Sequence, residues 1–193
     1  MTQEASSHYS EATVAPASAS VLRAVAIAFA GSLLLALASR IAVPMFPVPM
    51  TLQTYAVLLL GAMLGWRRAG LSVAFYLVEA AMGFPVLANG ASGALRLIGP
   101  TGGYLLAFPV AAMAVGLAMC GSLPQNRLRT FALMMAGHAA ILAAGSAWLA
   151  TTLGWETAIA VGVTPFLLGS VVKSALVVVT VEALGGARRH LSA

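Results

Sequence analysis

The chain is built from six apolar runs separated by short connections that are polar or rich in proline and glycine. A hydrocarbon core about 30 Å thick requires about 20 apolar residues in a helix, and fewer where protein loops cover the helix ends. The runs are therefore predicted to be six transmembrane helices, over residues 21–38, 52–64, 69–82, 103–120, 128–149 and 164–184. Trp66, Arg67 and Arg68 leave little room for a loop, so the second and third helices are predicted to form a helical hairpin.

Two of the connections are predicted to be irregular structure. Residues 83–104 are rich in glycine, and Pro85 and Pro100 stop the flanking helices. This segment is predicted to form one wall of a small-molecule site, the alternative being an ordinary turn between helices. Residues 43–51 contain three prolines, which favour an extended apolar segment. That segment is either a lid over the site or an interfacial loop resting on lipid headgroups.

The arginines predict the orientation of the helices in the membrane. Cytoplasmic loops carry an excess of Lys and Arg, and a cytoplasmic N-terminus places seven arginines inside and two outside. The inside set is Arg23, Arg67, Arg68, Arg127, Arg129, Arg188 and Arg189, and the outside set is Arg40 and Arg96. Both termini are therefore predicted to be cytoplasmic. Residues 43–51, 83–104 and the loop at 150–163, which contains Trp155 and Glu156, then face outward.

Composition agrees with an all-α integral membrane protein. The chain is 61% hydrophobic and 8% charged, and its mean hydropathy is +0.96. Residues 21–186 are predicted to form one six-helix transmembrane domain, after a disordered tail at 1–20 and before a short basic cytoplasmic tail at 187–193. A net charge of +5 would suggest nucleic acid in a soluble protein, but here the basic residues lie at the ends of apolar runs, so no nucleic-acid partner is expected.

Several kinds of chemistry are excluded by residues that the sequence lacks. The single cysteine, Cys120, excludes an intrachain disulfide and a multi-cysteine metal site. There is no aspartate, which excludes aspartyl-phosphate chemistry and catalytic triads based on aspartate. Lys173, the only lysine, follows Val172, so there is no phosphate-binding loop. The chain is therefore expected to have no ATPase activity of its own, no cofactor and no metal. His138, without a second histidine nearby, is predicted to form a hydrogen bond between helices.

Charged side chains within apolar spans are costly, by about 2.5–3.5 kcal/mol at a helix centre, and so each requires a role. Lys173 is predicted to contact an anionic ligand, or else to pair with Glu79 or a carbonyl oxygen. Glu79 is predicted to pair with Arg96 or Lys173 or to accept from a ligand, the alternative being an interfacial carboxylate that reaches water. Glu182 is predicted to be an interfacial charge.

Other polar residues are predicted to gather with these at the outer side of the bundle. Thr51 is either an N-cap or a ligand contact, and Gln53 projects into a cavity. The predicted binding set comes from four elements: Gln53, Asn89, Arg96, Tyr104, Ser170 and Lys173. Two cations with amide and hydroxyl groups, and no nucleophile–base pair, favour binding of a small anionic molecule over catalysis.

Three motifs resemble the BioY family, the biotin-binding S components of energy-coupling factor transporters. They are FPVPMTLQT at residues 46–54, GFPV at 83–86 and GPTGGY at 99–104, and the likeness spans about residues 33–184. The resemblance implies six helices in an S-component-like bundle whose outward loops enclose biotin. It also implies partners, namely a transmembrane T component and two ATP-binding-cassette ATPase subunits. Ala24 and Ala28 match the small-residue motif that docks on the T component.

The chain departs from the family pattern at two places. The family often has Pro-Gly-Asp-x-x-Lys in the last helix, and this chain has LGSVVK at residues 168–173, so that Ser170 replaces the acid. A serine hydroxyl accepts only as a neutral group, whereas a carboxylate accepts strongly from ureido N–H groups. Glu79 is predicted to compensate. Asn89 lies earlier than the family's asparagine, whose place Ala91 takes.

The predicted function is capture and uptake of biotin across a bacterial cytoplasmic (inner) membrane by a multi-pass, non-enzymatic subunit. The predicted substrate-binding residues are Thr51, Gln53, Glu79, Asn89, Arg96, Tyr104, Ser170 and Lys173. One alternative is an S component for another small anionic vitamin. The other is a small membrane enzyme that acts on a lipid-like substrate with Glu79 and His138 as acid and base.

Overall fold

The fold is a bundle of helices, and the computed structural model describes residues 17–119 and 126–191 of the chain. In this part of the chain the helices are α1 (Ala17–Arg40), α2 (Gln53–Leu64), α3 (Trp66–Ala81), α4 (Ala94–Ile98), α5 (Gly102–Ala118), α6 (Arg127–Leu153), α7 (Trp155–Gly162) and α8 (Phe166–Leu191). Two short strands, β1 (Ala42–Val43) and β2 (Met50–Thr51), pair antiparallel, and Ala88–Gly90 forms a 3-10 turn.

Six long helices lie where the six apolar runs predict them. Three segments of the described chain are long and apolar enough to cross a membrane: Val21–Arg40 in α1, Arg127–Leu153 in α6 and Phe166–Leu184 in α8. The first and last helices extend further than predicted, because α1 begins at Ala17 and α8 continues to Leu191. The predicted disordered tail at residues 1–20 is wrong for residues 17–20, which are helical, and its remainder lies outside the described residues. The predicted basic tail at 187–193 is helical as far as Leu191. The predicted helix end at Cys120 also lies outside the described residues.

Packing places α5 at the centre of the bundle, between α2, α3 and α6. Helix α1 packs mainly against α3, and α8 packs against α6 and α2. The fully buried side chains that hold these helices together are aliphatic and aromatic, among them Leu58, Tyr76, Val115, Met134 and Ile141. This core leaves one end of α2, α5, α6 and α8 open to the connecting loops.

Tyr104 shows how small residues position a large side chain in this bundle. A Cβ atom at Gly145 of α6 would overlap the Tyr104 ring, and one at Gly162 of α7 would overlap its hydroxyl. The ring therefore lies in a slot that exists only because both positions are glycine. The hydroxyl donates to the carbonyl oxygen of Gly162 at 2.8 Å, which ties α5 to the end of α7.

The proline-rich segment at 43–51 folds back on itself instead of running extended throughout. Its two ends are joined by the β1–β2 pair, in which Ala42 faces Thr51 and Val43 faces Met50. Proline has no N–H to donate, so the prolines that follow limit the ladder to two residues on each side. Val48 at the turn is only 5% exposed, so the loop packs down onto the bundle.

The glycine-rich segment at 83–104 is irregular, as predicted, but it contains more regular structure than the sequence indicated. The 3-10 turn and α4 interrupt it. Gly83 and Gly93 have φ of +99° and +93°, conformations that favour glycine. Asn89 has φ of +56°, which asparagine tolerates better than most residues.

The prediction of a loop at 150–163 is wrong. Helix α6 continues to Leu153, Gly154 reverses the chain with φ of +77°, and α7 follows from Trp155 to Gly162. Seven residues from Trp155 contain no glycine or proline and place Ala158 in the core, which is sufficient for two helical turns packed on α6.

Candidate functional site

A cavity of about 900 Å³ lies between the open end of the bundle and the two irregular segments. Its apolar lining comes from loops and helices: Met45, Phe46, Val48, Leu87, Leu95, Leu105, Phe108, Ile141, Leu142 and Phe166. Its polar lining is Thr51, Gln53, Thr54, Asn89, Arg96, Thr101, Tyr104, His138, Ser170 and Lys173. An apolar enclosure with a few convergent polar groups is the usual form of a small-molecule site.

The structure brings together every predicted binding residue except Glu79. Helix α2 supplies Gln53, strand β2 supplies Thr51, and α8 supplies Ser170 and Lys173. The other three predicted residues, which come from the glycine-rich segment and α5, are Asn89, Arg96 and Tyr104. The segment at 83–104 therefore does lie over the end of the bundle, as its predicted role as a wall requires.

Lys173 forms the floor of the cavity. It is 8% exposed, and its Nζ donates to the carbonyl oxygen of Thr51 at 3.2 Å and to Oγ1 of Thr54 at 2.7 Å. An ammonium group has three N–H donors, so one remains for a ligand. No carboxylate of the described residues lines the cavity. The prediction that Lys173 could pair with a carbonyl oxygen is thus confirmed, since it donates to that of Thr51. Among the described residues Lys173 forms no ion pair with Glu79.

Beneath Lys173, a second layer of hydrogen bonds joins three helices. Nε2 of His138 in α6 lies 3.2 Å from Oγ1 of Thr54 in α2, and its Nδ1 lies 3.0 Å from Oγ of Ser174 in α8. Nδ1 also lies 3.1 Å from the carbonyl oxygen of Met134. The prediction that His138 bonds between helices is confirmed, and its ring also lines the cavity.

Gln53 is held by its neighbours on both sides of its amide group. Oε1 accepts from the Thr51 hydroxyl at 2.9 Å, and Nε2 donates to the Tyr76 hydroxyl of α3. Tyr76 in turn donates to the carbonyl oxygen of Val86 at 3.0 Å, and Ser39 of α1 donates to the same oxygen at 2.8 Å. The start of the glycine-rich segment is thereby fixed to α1 and α3, and Gln53 presents a preset amide to the cavity.

Two aromatic rings line one side of the cavity. Tyr104 and Phe166 stack with ring centroids 6.3 Å apart and planes 28° apart. The Tyr104 hydroxyl donates to Gly162, so the residue lines the cavity mainly with its aromatic ring. Ser170, one turn before Lys173 on α8, is 3% exposed and adds a hydroxyl beside these rings.

The outer wall differs from the floor because its polar residues are exposed. Asn89 of the 3-10 turn and Arg96 of α4 line the cavity but also reach solvent. No hydrogen bond from either side chain is formed among the described residues. These two groups can therefore reorient towards a bound molecule.

Glu79 does not belong to the site. It lies on α3 one turn after Tyr76, is half-buried and does not line the cavity. Tyr76, three residues earlier on α3, is fully buried. The described residues form one ion pair, Arg127 Nε to Glu182 Oε1 at 2.7 Å, at the other end of α6 and α8. The predicted pairing of Glu79 with Arg96 or Lys173 is not formed among the described residues, and its predicted contact with a ligand is not supported by its position.

The structure also places the small residues of α1. Ala28 is 3% exposed and Ala24 is half-buried, on the side of α1 that packs against α3. A second pair at the same spacing, Ala26 and Ala30, is exposed. Ala28 is therefore covered within the bundle, and docking through Ala24 and Ala28 stays a prediction.

Among the cavity residues that sequence reasoning missed, Thr54 and Phe166 differ in the signal they carry. Thr54 directly follows Gln53 in the TLQT motif, whose other polar residues were assigned to the site, so the motif was a usable signal. Phe166 carries no such signal, because nothing in an apolar run tells which aromatic ring faces a cavity.

Comparison with known proteins identifies the family. The model of the BioY family matches residues 6–190. The chain belongs to the BioY family. A probable biotin transporter BioY of Pyrococcus horikoshii is 37% identical over 148 residues, which cover 77% of this chain and 87% of the relative. A biotin transporter BioY2 of Lactococcus lactis subsp. cremoris is 36% identical over 165 residues, which cover 83% and 88%.

A solved structure supports the same fold. The chain superposes with a TM-score of 0.77 on a protein described as the S-component for biotin from an ECF-type ABC transporter, with 24% sequence identity. The match covers 89% of this BioY chain and 95% of the other. The two proteins therefore share one fold. The cavity chemistry agrees with binding rather than catalysis, since the acid–base pair of the enzyme alternative is split: Glu79 lies outside the cavity that His138 lines.

Proposed function

We propose that this chain binds biotin in the cavity and acts as the substrate-binding subunit of an energy-coupling factor transporter. Its membership of the BioY family and its similarity to relatives named biotin transporters support this function. The observation that carries the proposal is Lys173, a buried cation at the cavity floor with one N–H donor unused and no carboxylate of the described chain in the cavity. A carboxylate ligand would supply the missing counter-charge.

The proposed orientation places the valerate carboxylate of biotin at Lys173, with Arg96 as the alternative cation. The ureido ring lies near the amide groups of Asn89 and Gln53 or the hydroxyl of Ser170. The thiophane ring packs against Tyr104 and its aromatic neighbour. Gln53 suits the ureido group because its amide is already oriented, so little side-chain entropy is lost on binding.

Binding to purified protein tests the ligand. Labelled biotin should bind saturably, and unlabelled biotin should displace it more effectively than other small anionic vitamins. Displacement by a different vitamin at lower concentration would favour the alternative of an S component for that vitamin. Absence of saturable biotin binding would remove the proposed function.

The proposed topology has six spans with both termini in the cytoplasm of a bacterium, in its inner membrane. The six long helices and the seven-to-two distribution of arginines support it. Helix α2 has 12 residues, about 18 Å at 1.5 Å per residue, so the loops above it must complete the span. A fluorescent protein fused to the C-terminus should fold and emit, and an alkaline phosphatase fusion there should be inactive. The reverse pattern would invert the orientation.

The proposed partners are a T component and two ATP-binding-cassette ATPases, because the chain lacks a phosphate-binding loop of its own. The exposed apolar face of α1 suits helix docking: it contains the small pair Ala26 and Ala30 beside Phe29. Ala26→Leu with Ala30→Leu should reduce co-purification with the T component. Ala175→Leu, at an exposed position of α8, is the matched control. Equal co-purification of both variants would exclude this face.

A further inference from the structure

The hydrogen bonds under Lys173 have a direction that chemistry fixes. An ammonium group only donates, so the Thr54 hydroxyl, 2.7 Å from Nζ, must accept from it. The hydroxyl's own proton then points elsewhere, and Nε2 of His138 lies 3.2 Å away. A charged Lys173 therefore turns Thr54 into a donor towards His138.

The tautomer of His138 follows from its other ring nitrogen. Nδ1 lies 3.1 Å from the carbonyl oxygen of Met134, which can only accept. Nδ1 must therefore carry the proton, and the hydroxyl of Ser174, 3.0 Å away, shares it as a second acceptor. Nε2 is then left with a lone pair for Thr54, since a second ring proton would place another positive charge next to Lys173. His138 is 2% exposed, which makes that charge more costly.

The arrangement leaves Lys173 little orientational freedom. Two of its N–H groups are taken, one by the backbone at Thr51 and the other by a hydroxyl that is itself fixed by His138. The remaining N–H is the group available to the cavity that Lys173 lines. Preset donors raise affinity because the cost of ordering them has already been met in the empty protein.

We propose that Thr54 and His138 are positioning residues that aim the free N–H of Lys173 at the ligand and so select for a carboxylate. This inference rests on the proposed binding of biotin. It goes further because it assigns to Thr54 and His138, which lie beneath Lys173, the preference for a ligand with a carboxylate over the same ligand without one. Neither residue needs to touch the carboxylate for this effect.

Thr54→Val tests the inference because it removes the hydroxyl and keeps the β-branched shape. The variant should bind biotin about tenfold or more weakly than the parent. Binding of biotinamide, which has the same rings and no carboxylate, should change by less than about twofold. A purely structural role would lower affinity for both ligands equally, and that result would overturn the proposal, as would no change for either.

Two further variants keep the test interpretable. Thr54→Ser retains the hydroxyl and should recover most of the preference for biotin over biotinamide. Thr180→Val is the matched control, because Thr180 joins the same pair of helices through a 2.9 Å bond to Tyr55 of α2 and does not line the cavity. It should leave the ratio of the two affinities unchanged. A Thr180→Val variant that shifts the ratio as much as Thr54→Val would also overturn the proposal.

The tautomer of His138 can be measured without any ligand, which separates this inference from the proposed function. Nitrogen NMR of histidine-labelled protein should show His138 as a neutral ring protonated at Nδ1. A ring protonated at Nε2 would contradict the direction of the hydrogen bonds and overturn the inference even if biotin binds. If the predicted tautomer is present but biotin does not bind, the proposed ligand would be wrong and the arrangement of hydrogen bonds would stand.

Discussion

The floor and the outer wall of the cavity are built in opposite ways. On the floor, Lys173, Gln53 and His138 are each less than 10% exposed, and each forms hydrogen bonds to another helix. On the wall, Asn89 and Arg96 are exposed, sit on a segment with several positive φ angles, and lack such bonds among the described residues. The floor is held by hydrogen bonds within the bundle, whereas the polar side chains of the wall face solvent.

This difference assigns separate tasks to the two regions. Buried and preset groups determine how tightly a ligand of the right charge is held, because little ordering is left to do. Exposed charges at a rim mainly affect the rate of association and its dependence on salt. We therefore expect substitutions on the floor to change dissociation and those on the wall to change association.

The largest effect is expected from Lys173→Met, which keeps an unbranched side chain of similar length and removes its charge. Loss of a buried, charged hydrogen bond should weaken biotin binding about 100-fold or more. The variant is also easier to insert into a membrane, so poor insertion would not explain the loss. Equilibrium binding of labelled biotin measures it. Affinity within about threefold of the parent would remove Lys173 from the site.

A smaller effect is expected from Gln53→Leu, which preserves volume and deletes the amide. The hydroxyl of Thr51 loses an acceptor and that of Tyr76 a donor, which should lower the free energy of unfolding by about 1–3 kcal/mol. The midpoint of thermal unfolding in detergent should fall, and binding should weaken mainly through faster dissociation. Tyr55→Phe, which breaks a half-buried bond outside the cavity, is the control. Slower association with unchanged dissociation would contradict the role of the floor.

The smallest effect is expected from Arg96→Gln on the wall. Affinity should fall only about threefold, mostly through slower association, and the difference from the parent should shrink at high salt. Arg67→Gln, an exposed arginine at the start of α3 outside the cavity, should have no effect. If Arg96→Gln instead weakened binding as much as Lys173→Met, Arg96 would be the main carboxylate contact, and the comparison of floor and wall would fail.

The sequence predicted the long helices well because apolar length is a strong signal, but it did not predict which face of α1 packs inward. That helix is apolar on nearly every side, so the pairs Ala24–Ala28 and Ala26–Ala30 could not be told apart by pattern. The buried stripe continues through Gly31, where a Cβ atom would overlap Ser72 of α3. Only the tertiary packing of α1 on α3 decides between the two.

The site was predicted in outline, and its errors have a physical cause. Polar residues stand out in an apolar chain, so Lys173 and Gln53 were found. Glu79 stood out equally, yet it is half-buried on α3 and does not line the cavity, which the pattern of an apolar helix does not reveal. Thr54 was missed because a hydroxyl gains its role only from the neighbours Lys173 and His138, which lie on other helices.

The central claim is that a fixed cation at the floor of the cavity holds the carboxylate of biotin. A structure of the protein with biotin bound tests it most directly. The account predicts a carboxylate oxygen about 2.7–2.9 Å from Nζ of Lys173, with the Thr54 bond retained and the ureido ring towards Asn89 and Gln53. A carboxylate at the outer wall beside Arg96, with the ureido ring at Lys173, would contradict it.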